Sequence, residues 1–323
     1  MSRPFSALLF TACFATVLAA DAANQTTEDA GDQPIGGFVP KKSLSYVALI
    51  LYGISGLIHW IHFFTVPPRR PFMATLPLGM TAMAVGFILR VLYANPPFTL
   101  GKYIVMDLFI LLSPCLFLAT SYMLLSHLAR CFDEEVANRC LLIRHSRITK
   151  FFVWSDVFTF FLQSSGGGLT AMKNANLANL GNKIVLIGLV LQALSFGLFT
   201  VMLVVFARRI SEHYPELRRP QRSRPFKMFS RQPIDDWRIL VYIMCATCVG
   251  IFIRSVFRVA EFAGGYNGTI ATHEAYFYAF DTLPLWIAMS LYAVVWPARA
   301  LMDRYRPLEL GSRQQLNQRK LEV

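Results

Sequence analysis

Charge is scarce in this chain: only 15% of its 323 residues are Asp, Glu, Lys or Arg, against 55% hydrophobic and 14% aromatic residues, 27 of them Phe. That balance excludes an ordinary soluble domain and describes a lipid-facing bundle. Cysteine is sparse too, with six residues spread among a candidate leader (Cys13), an apolar run (Cys115), a basic loop (Cys131, Cys140) and one helical turn (Cys245, Cys248), so no disulfide framework is indicated. Cys245-Ala246-Thr247-Cys248 has the spacing of a redox pair, but inside an apolar helix these read as small packing residues. No Gly-rich loop ends in Gly-Lys-Ser/Thr, which leaves no place for a nucleotide to drive anything. Neither a metal triad nor a nucleophile with a base is visible, so an enzyme, a metal site and a bound cofactor are not expected, and an intramembrane hydrolase ranks last among the functions considered. Internal repeats and a large soluble domain are missing as well.

What the chain does have is seven apolar runs, at about residues 44–66, 72–94, 103–126, 151–170, 184–207, 239–259 and 275–296. Each suffices to cross a hydrocarbon core of about 30 Å as a helix, the form in which one segment satisfies its own backbone in lipid. The expected fold is therefore an all-α polytopic membrane protein with seven transmembrane helices. The fourth run is the weakest, because it carries Asp156, Gln163 and Gly166-Gly167-Gly168, and the glycines are expected to end or break it.

Alternating the loops puts 22 of the 31 Lys and Arg on one side, and only Lys41, Lys42, Lys102, Lys173 and Lys183 on the other side of the mature chain. By the positive-inside rule the amino terminus is outside and the carboxyl terminus cytoplasmic. The net charge of +12 then reflects loops lying against an anionic leaflet rather than a nucleic-acid partner. Residues 1–22 read as a signal peptide, with a short basic start, an apolar stretch and small residues before the cut. The expected organisation continues with an extracellular segment at 23–43, the membrane domain at 44–299 and a cytoplasmic tail at 300–323. Asn24-Gln25-Thr26 and Asn267-Gly268-Thr269 are glycosylation sequons, both on the expected outer side. The Arg- and Pro-rich loop between Arg208 and Arg238 is expected to be extended along the membrane.

Charges within the runs mark candidate pathway residues. Arg254, Arg258 and Glu261 share one helical face at i, i+4 and i+7, and Glu274, Tyr278 and Asp281 repeat that spacing on the next helix. In hydrocarbon a lone Arg costs at least about 2.5 kcal/mol, so two acids meeting two arginines form either a structural clamp or a polar headgroup site. Asp156 and Gln163 again lie seven apart. Tyr52, Ser55, His59 and His62 form a polar stripe on the first run, where His59 is read first as a satisfied bundle histidine and second as a proton site. Arg90 and Asp107 flank an outer loop, and both are expected to reach water by snorkelling.

The phrases SPCLFLATSYM (Ser113 to Met123), FVWSDVFTFFLQSSGGG (Phe152 to Gly168), IRSVFRVAEFAGGYNG (Ile253 to Gly268) and HEAYFYAFDTLP (His273 to Pro284) resemble the fungal lipid-translocating exporters, the family named for aminocholesterol resistance. The resemblance covers about residues 44–299, with departures at Asp107 and Phe63, where the family more often shows an uncharged polar residue and Gln. It implies a seven-helix fungal protein of the plasma membrane or an endomembrane that exports sphingoid long-chain bases, sterol-like compounds or other cationic amphiphiles and so confers drug resistance. Its implied partners are membrane lipids or amphiphilic small molecules, in an oligomeric state the sequence leaves open. Asp156, Glu261, Glu274 and Asp281 are the carboxylates available to an ammonium headgroup. The alternative is a seven-helix sensor or regulator of lipid homeostasis signalling through the basic loop.

Overall fold

The structure, a computed structural model, describes residues 40–96, 100–132, 136, 139–141, 145–170, 175–214, 236–264 and 274–301. The expected signal peptide, both sequons, most of the basic loop and most of the tail lie outside the described residues.

Among the described residues the architecture is all helical. The long helices are α1 (Lys42–Thr65), α2 (Thr75–Tyr93), α3 (Leu100–Cys131), α4 (His145–Thr170), α5 (Ala175–His213), α6 (Trp237–Ala263) and α7 (Glu274–Val294). A 3-10 turn, Pro71–Ala74, leads into α2, and a short α8 (Pro297–Ala300) follows α7. Proline opens both, where its missing N–H costs nothing. Asp236 caps α6 by accepting from the Arg238 backbone N–H at 3.0 Å.

Six of these helices are long and apolar enough to cross a membrane: α1, the Pro71–Tyr93 stretch ending in α2, α3, α5, α6 and α7. This makes the chain a multi-pass membrane protein. Exposed apolar side chains run down them at helical spacing, as with Val47, Ile50, Ile54, Leu57, Ile61 and Phe64 on α1 and Ile187, Leu191, Leu194, Leu198 and Val201 on α5. Stripes of that length face lipid rather than water. Helix α4 spans 26 residues but is less apolar, because Asp156, Gln163, four serines and three glycines interrupt it.

Successive helices pack side by side from α1 to α7, and α7 returns to α1, so the bundle closes on itself. Helix α3 is the most enclosed, with 83% of its apolar window buried against 28% for α1. The polar stripe of α1 serves the closure. Tyr52 Oη donates to the Thr282 carbonyl at 2.9 Å, and Trp286 Nε1 donates to Ser55 Oγ at 2.9 Å.

The glycines of α4 do not end it: the helix runs unbroken through Gly166, Gly167 and Gly168 to Thr170. Gly166 instead sits against α5, where a Cβ would lie 2.9 Å from the Gly181 carbonyl oxygen and 2.7 Å from Val185 Cγ2. A Cβ at Gly181 would lie 2.6 Å from the Gly166 carbonyl oxygen and 2.7 Å from the Thr170 nitrogen. Small residues here let two backbones touch, a common way for helices to associate in lipid. Gly181→Ala should therefore lower stability by about 1 to 3 kcal/mol, because the obstruction is backbone. Gly168→Ala, which meets nothing within 4 Å, should be neutral or slightly stabilising. Thermal unfolding in detergent distinguishes the two, and equal effects would discard the close-contact account.

Candidate functional site

At the end of the bundle where α2, α4 and α6 finish and α3, α5 and α7 begin, the helices enclose a cavity of about 120 Å³. Each of these six helices contributes a polar side chain to its wall: Arg90, Asp107, Gln163, Asn182, Arg258 with Glu261, and Glu274. That volume holds several waters or a small polar headgroup, and falls well below the roughly 300 Å³ at which drug-sized pockets begin.

The charges are arranged as a network. Asp281, with its side chain fully buried, takes both arginines of α6 on Oδ1: Arg258 Nε donates to it at 2.5 Å and Arg254 Nε stands 3.1 Å away. Arg258 also donates to Glu261 at 3.2 Å. Glu274 pairs with Arg90 at 2.9 Å and accepts from the Lys41 backbone N–H at 2.8 Å. Phe277 lies between the two guanidinium groups, 4.6 Å from Arg90 and 5.1 Å from Arg258 measured to its ring centre. Its face adds a cation–π attraction to each.

Glu274, Tyr278 and Asp281 do not share one partner helix as their spacing predicts. Residues Phe277–Thr282 form a π-helical turn, whose wider winding breaks the equivalence of seven residues with two turns. Glu274 thus meets α2, the Tyr278 hydroxyl meets Ser45 on α1 at 2.9 Å, and Asp281 meets α6. Snorkelling is likewise corrected for Arg90 and Asp107. Arg90 is 5% exposed and ion-paired inside the bundle, and Asp107 lines the cavity.

Asp107 differs from the other carboxylates around the cavity, Glu261, Glu274 and Asp281, because it forms no ion pair among the described residues. Its Oδ2 faces Gly167, where a Cβ would lie 3.4 Å away, so the glycine leaves room beside the carboxylate. Counting the second row, four carboxylates (Asp107, Glu261, Glu274, Asp281) stand with three guanidiniums (Arg90, Arg254, Arg258). With all of them ionised, one negative charge is left over.

Gln163 reaches this wall, whereas Asp156 lies about two turns deeper on α4, 3% exposed and outside it. His59 sits in the latter half of α1 beside Trp296, its Nδ1 facing the Ser55 carbonyl at 2.6 Å. It belongs to the opposite end. Arg90, Asp107, Phe277 and Asn182 are the wall residues that sequence reasoning missed. For the first two, charge several residues inside an apolar helix was the available signal.

Fold and site together define a polytopic helical membrane protein with a charged cavity enclosed near one membrane face. The chain belongs to the RTA1-like family, since residues 76–304 match the family described as RTA1 like protein. It is similar to Protein RTM1 of Saccharomyces cerevisiae, 32% identical over 70% of this chain and 68% of that one. Similarity also extends to Protoporphyrin uptake protein 1 of Saccharomyces cerevisiae (32% identical, 67% of this chain, 65% of that one). The Sphingoid long-chain base transporter RSB1 of the same species aligns more widely, at 23% identity over 86% of this chain and 77% of the relative. The chain thus spans about two thirds of the length of the first two relatives. No solved structure matches it.

Proposed function

We propose that this protein moves cationic amphiphiles, of which sphingoid bases are the type, across a fungal membrane and thereby confers resistance to them. Support comes from relatives named for sphingoid long-chain base transport, lipid transport and protoporphyrin uptake, which share an amphiphilic cargo. The observation that carries the choice among them is Asp107, without an ion pair among the described residues, in a cavity with one carboxylate in excess. A primary ammonium would complete that network, while an anionic porphyrin carboxylate would meet arginines already engaged. In this reading α4 is a seventh span, favoured by its exposed apolar stripe of Phe151, Trp154, Phe158 and Phe161. The amino terminus is outside, the tail cytoplasmic, and the plasma membrane the site of action. No reaction is catalysed.

Calorimetry of the purified chain should show sphingosine binding at least about tenfold more tightly than its N-acetylated, uncharged analogue, the loss of one charged contact. Equal affinities would remove Asp107 as the headgroup partner. For the orientation, glycosidase should shift the mobility of the native chain, and Asn24→Gln with Asn267→Gln should abolish the shift. A carboxyl-terminal reporter that became glycosylated would invert the topology.

A further inference from the structure

We propose that Asp156 is a proton-binding carboxyl whose proton exchanges with occupancy of the headgroup cavity, so that amphiphile movement is coupled to protons; this rests on the transport reading above. Asp156 lies inside the bundle on α4, and neither carboxylate oxygen has a hydrogen-bond partner. The Tyr122 hydroxyl on α3 is the polar group beside it, close enough to interact with the carboxylate but short of hydrogen-bond geometry. The carboxyl belongs to none of the ion pairs among the described residues. A permanent charge left without donors in such a place is expensive, whereas a group that takes up and releases a proton tolerates it.

A seam of polar side chains joins this carboxyl to the cavity. Cys115 on α3 lies within electrostatic reach of Asp156 and accepts from Gln192 Nε2 of α5 at 3.8 Å. Gln192 Oε1 in turn accepts from Gln163 Nε2 at 2.9 Å, and Gln163 lines the cavity. The titratable groups facing Asp156 are Tyr122 and Cys115, both on α3; α5 brings the uncharged Gln192 to the seam, and on α4 itself the Thr159 hydroxyl donates to the Asp156 backbone carbonyl at 3.0 Å. This seam is the line that water follows if α3, α4 and α5 part. A cation entering at Asp107 raises the positive potential along it, which favours release of the proton from Asp156. The proton leaves to water and the carboxylate remains, so charge balances between incoming ammonium and outgoing proton. His59 offers no such link, being placed at the opposite end on α1.

Infrared spectroscopy of the full chain reconstituted in lipid tests this. The wild type should show, at neutral pH, the carbonyl band of a protonated carboxylic acid that Asp156→Asn removes and Asp156→Glu shifts in frequency. Saturating sphingosine should diminish the band. Calorimetry on the same samples reports cavity binding separately. A spectrum without an Asp156-dependent band, or a band unchanged by sphingosine that calorimetry shows to be bound, overturns the proposal. Sphingosine that fails to bind at all contradicts the cavity reading and leaves the proton nothing to exchange with, a failure seen in the calorimeter rather than the spectrum. Should Asp156→Asn fail to fold, the band shift in Asp156→Glu decides the matter in the same way.

Discussion

Asp281→Asn is expected to be the most damaging single substitution in the bundle, with a loss of about 3 to 5 kcal/mol, the cost of leaving buried charges without their partner. Its Oδ1 serves Arg258 and Arg254 together, and both arginines are buried. Arg258 keeps Glu261 after the change, but among the described residues Arg254 has no second carboxylate within ion-pair distance. Arg254→Met should therefore be milder, because Asp281 retains Arg258 and a flexible apolar chain fills the vacated space. Monodisperse yield after extraction and thermal unfolding in detergent give the ranking. If Arg254→Met proves as harmful as Asp281→Asn, the shared-carboxylate arrangement is wrong.

Asp107→Asn should act on binding and leave the fold alone. Its carboxylate supports no ion pair among the described residues, so an isosteric amide removes little that holds helices together. Sphingosine, however, loses a charge-assisted contact of about 1.5 to 3 kcal/mol, or roughly 10- to 150-fold in affinity. Glu274→Gln provides the contrast, since it removes the carboxylate that ion-pairs with Arg90 and should lower stability first. Calorimetry beside thermal unfolding separates these effects. Unchanged affinity in a stable Asp107→Asn variant would show that the cavity's surplus charge is not the headgroup contact.

The helices were legible because lipid imposes one rule on every span, and the apolar runs state it directly. Observed boundaries depart most at α5, which begins at Ala175 and ends at His213, well outside its apolar run. There the helix continues past the apolar run at both ends, which hydropathy alone does not mark. Pairing was only half legible. That α6 and α7 exchange charges follows from their spacing, yet the π-helical turn at Phe277–Thr282 redirects Glu274 to Arg90 on a helix distant in sequence. Asp107 was misread because a charge near a helix end looks the same whether it faces water or a cavity, and the distinction depends on how six helices converge. The triple glycine was misread similarly: the residue that permits a break also permits close contact, and only the position of Gly181 on α5 decides.

Transbilayer movement of labelled sphingosine in liposomes that contain this protein and no other tests the central claim most directly. The account predicts movement faster than in protein-free vesicles, reduced to that background by Asp107→Asn while the variant remains folded. Vesicles carrying folded wild-type protein that move sphingosine no faster than protein-free vesicles would contradict it.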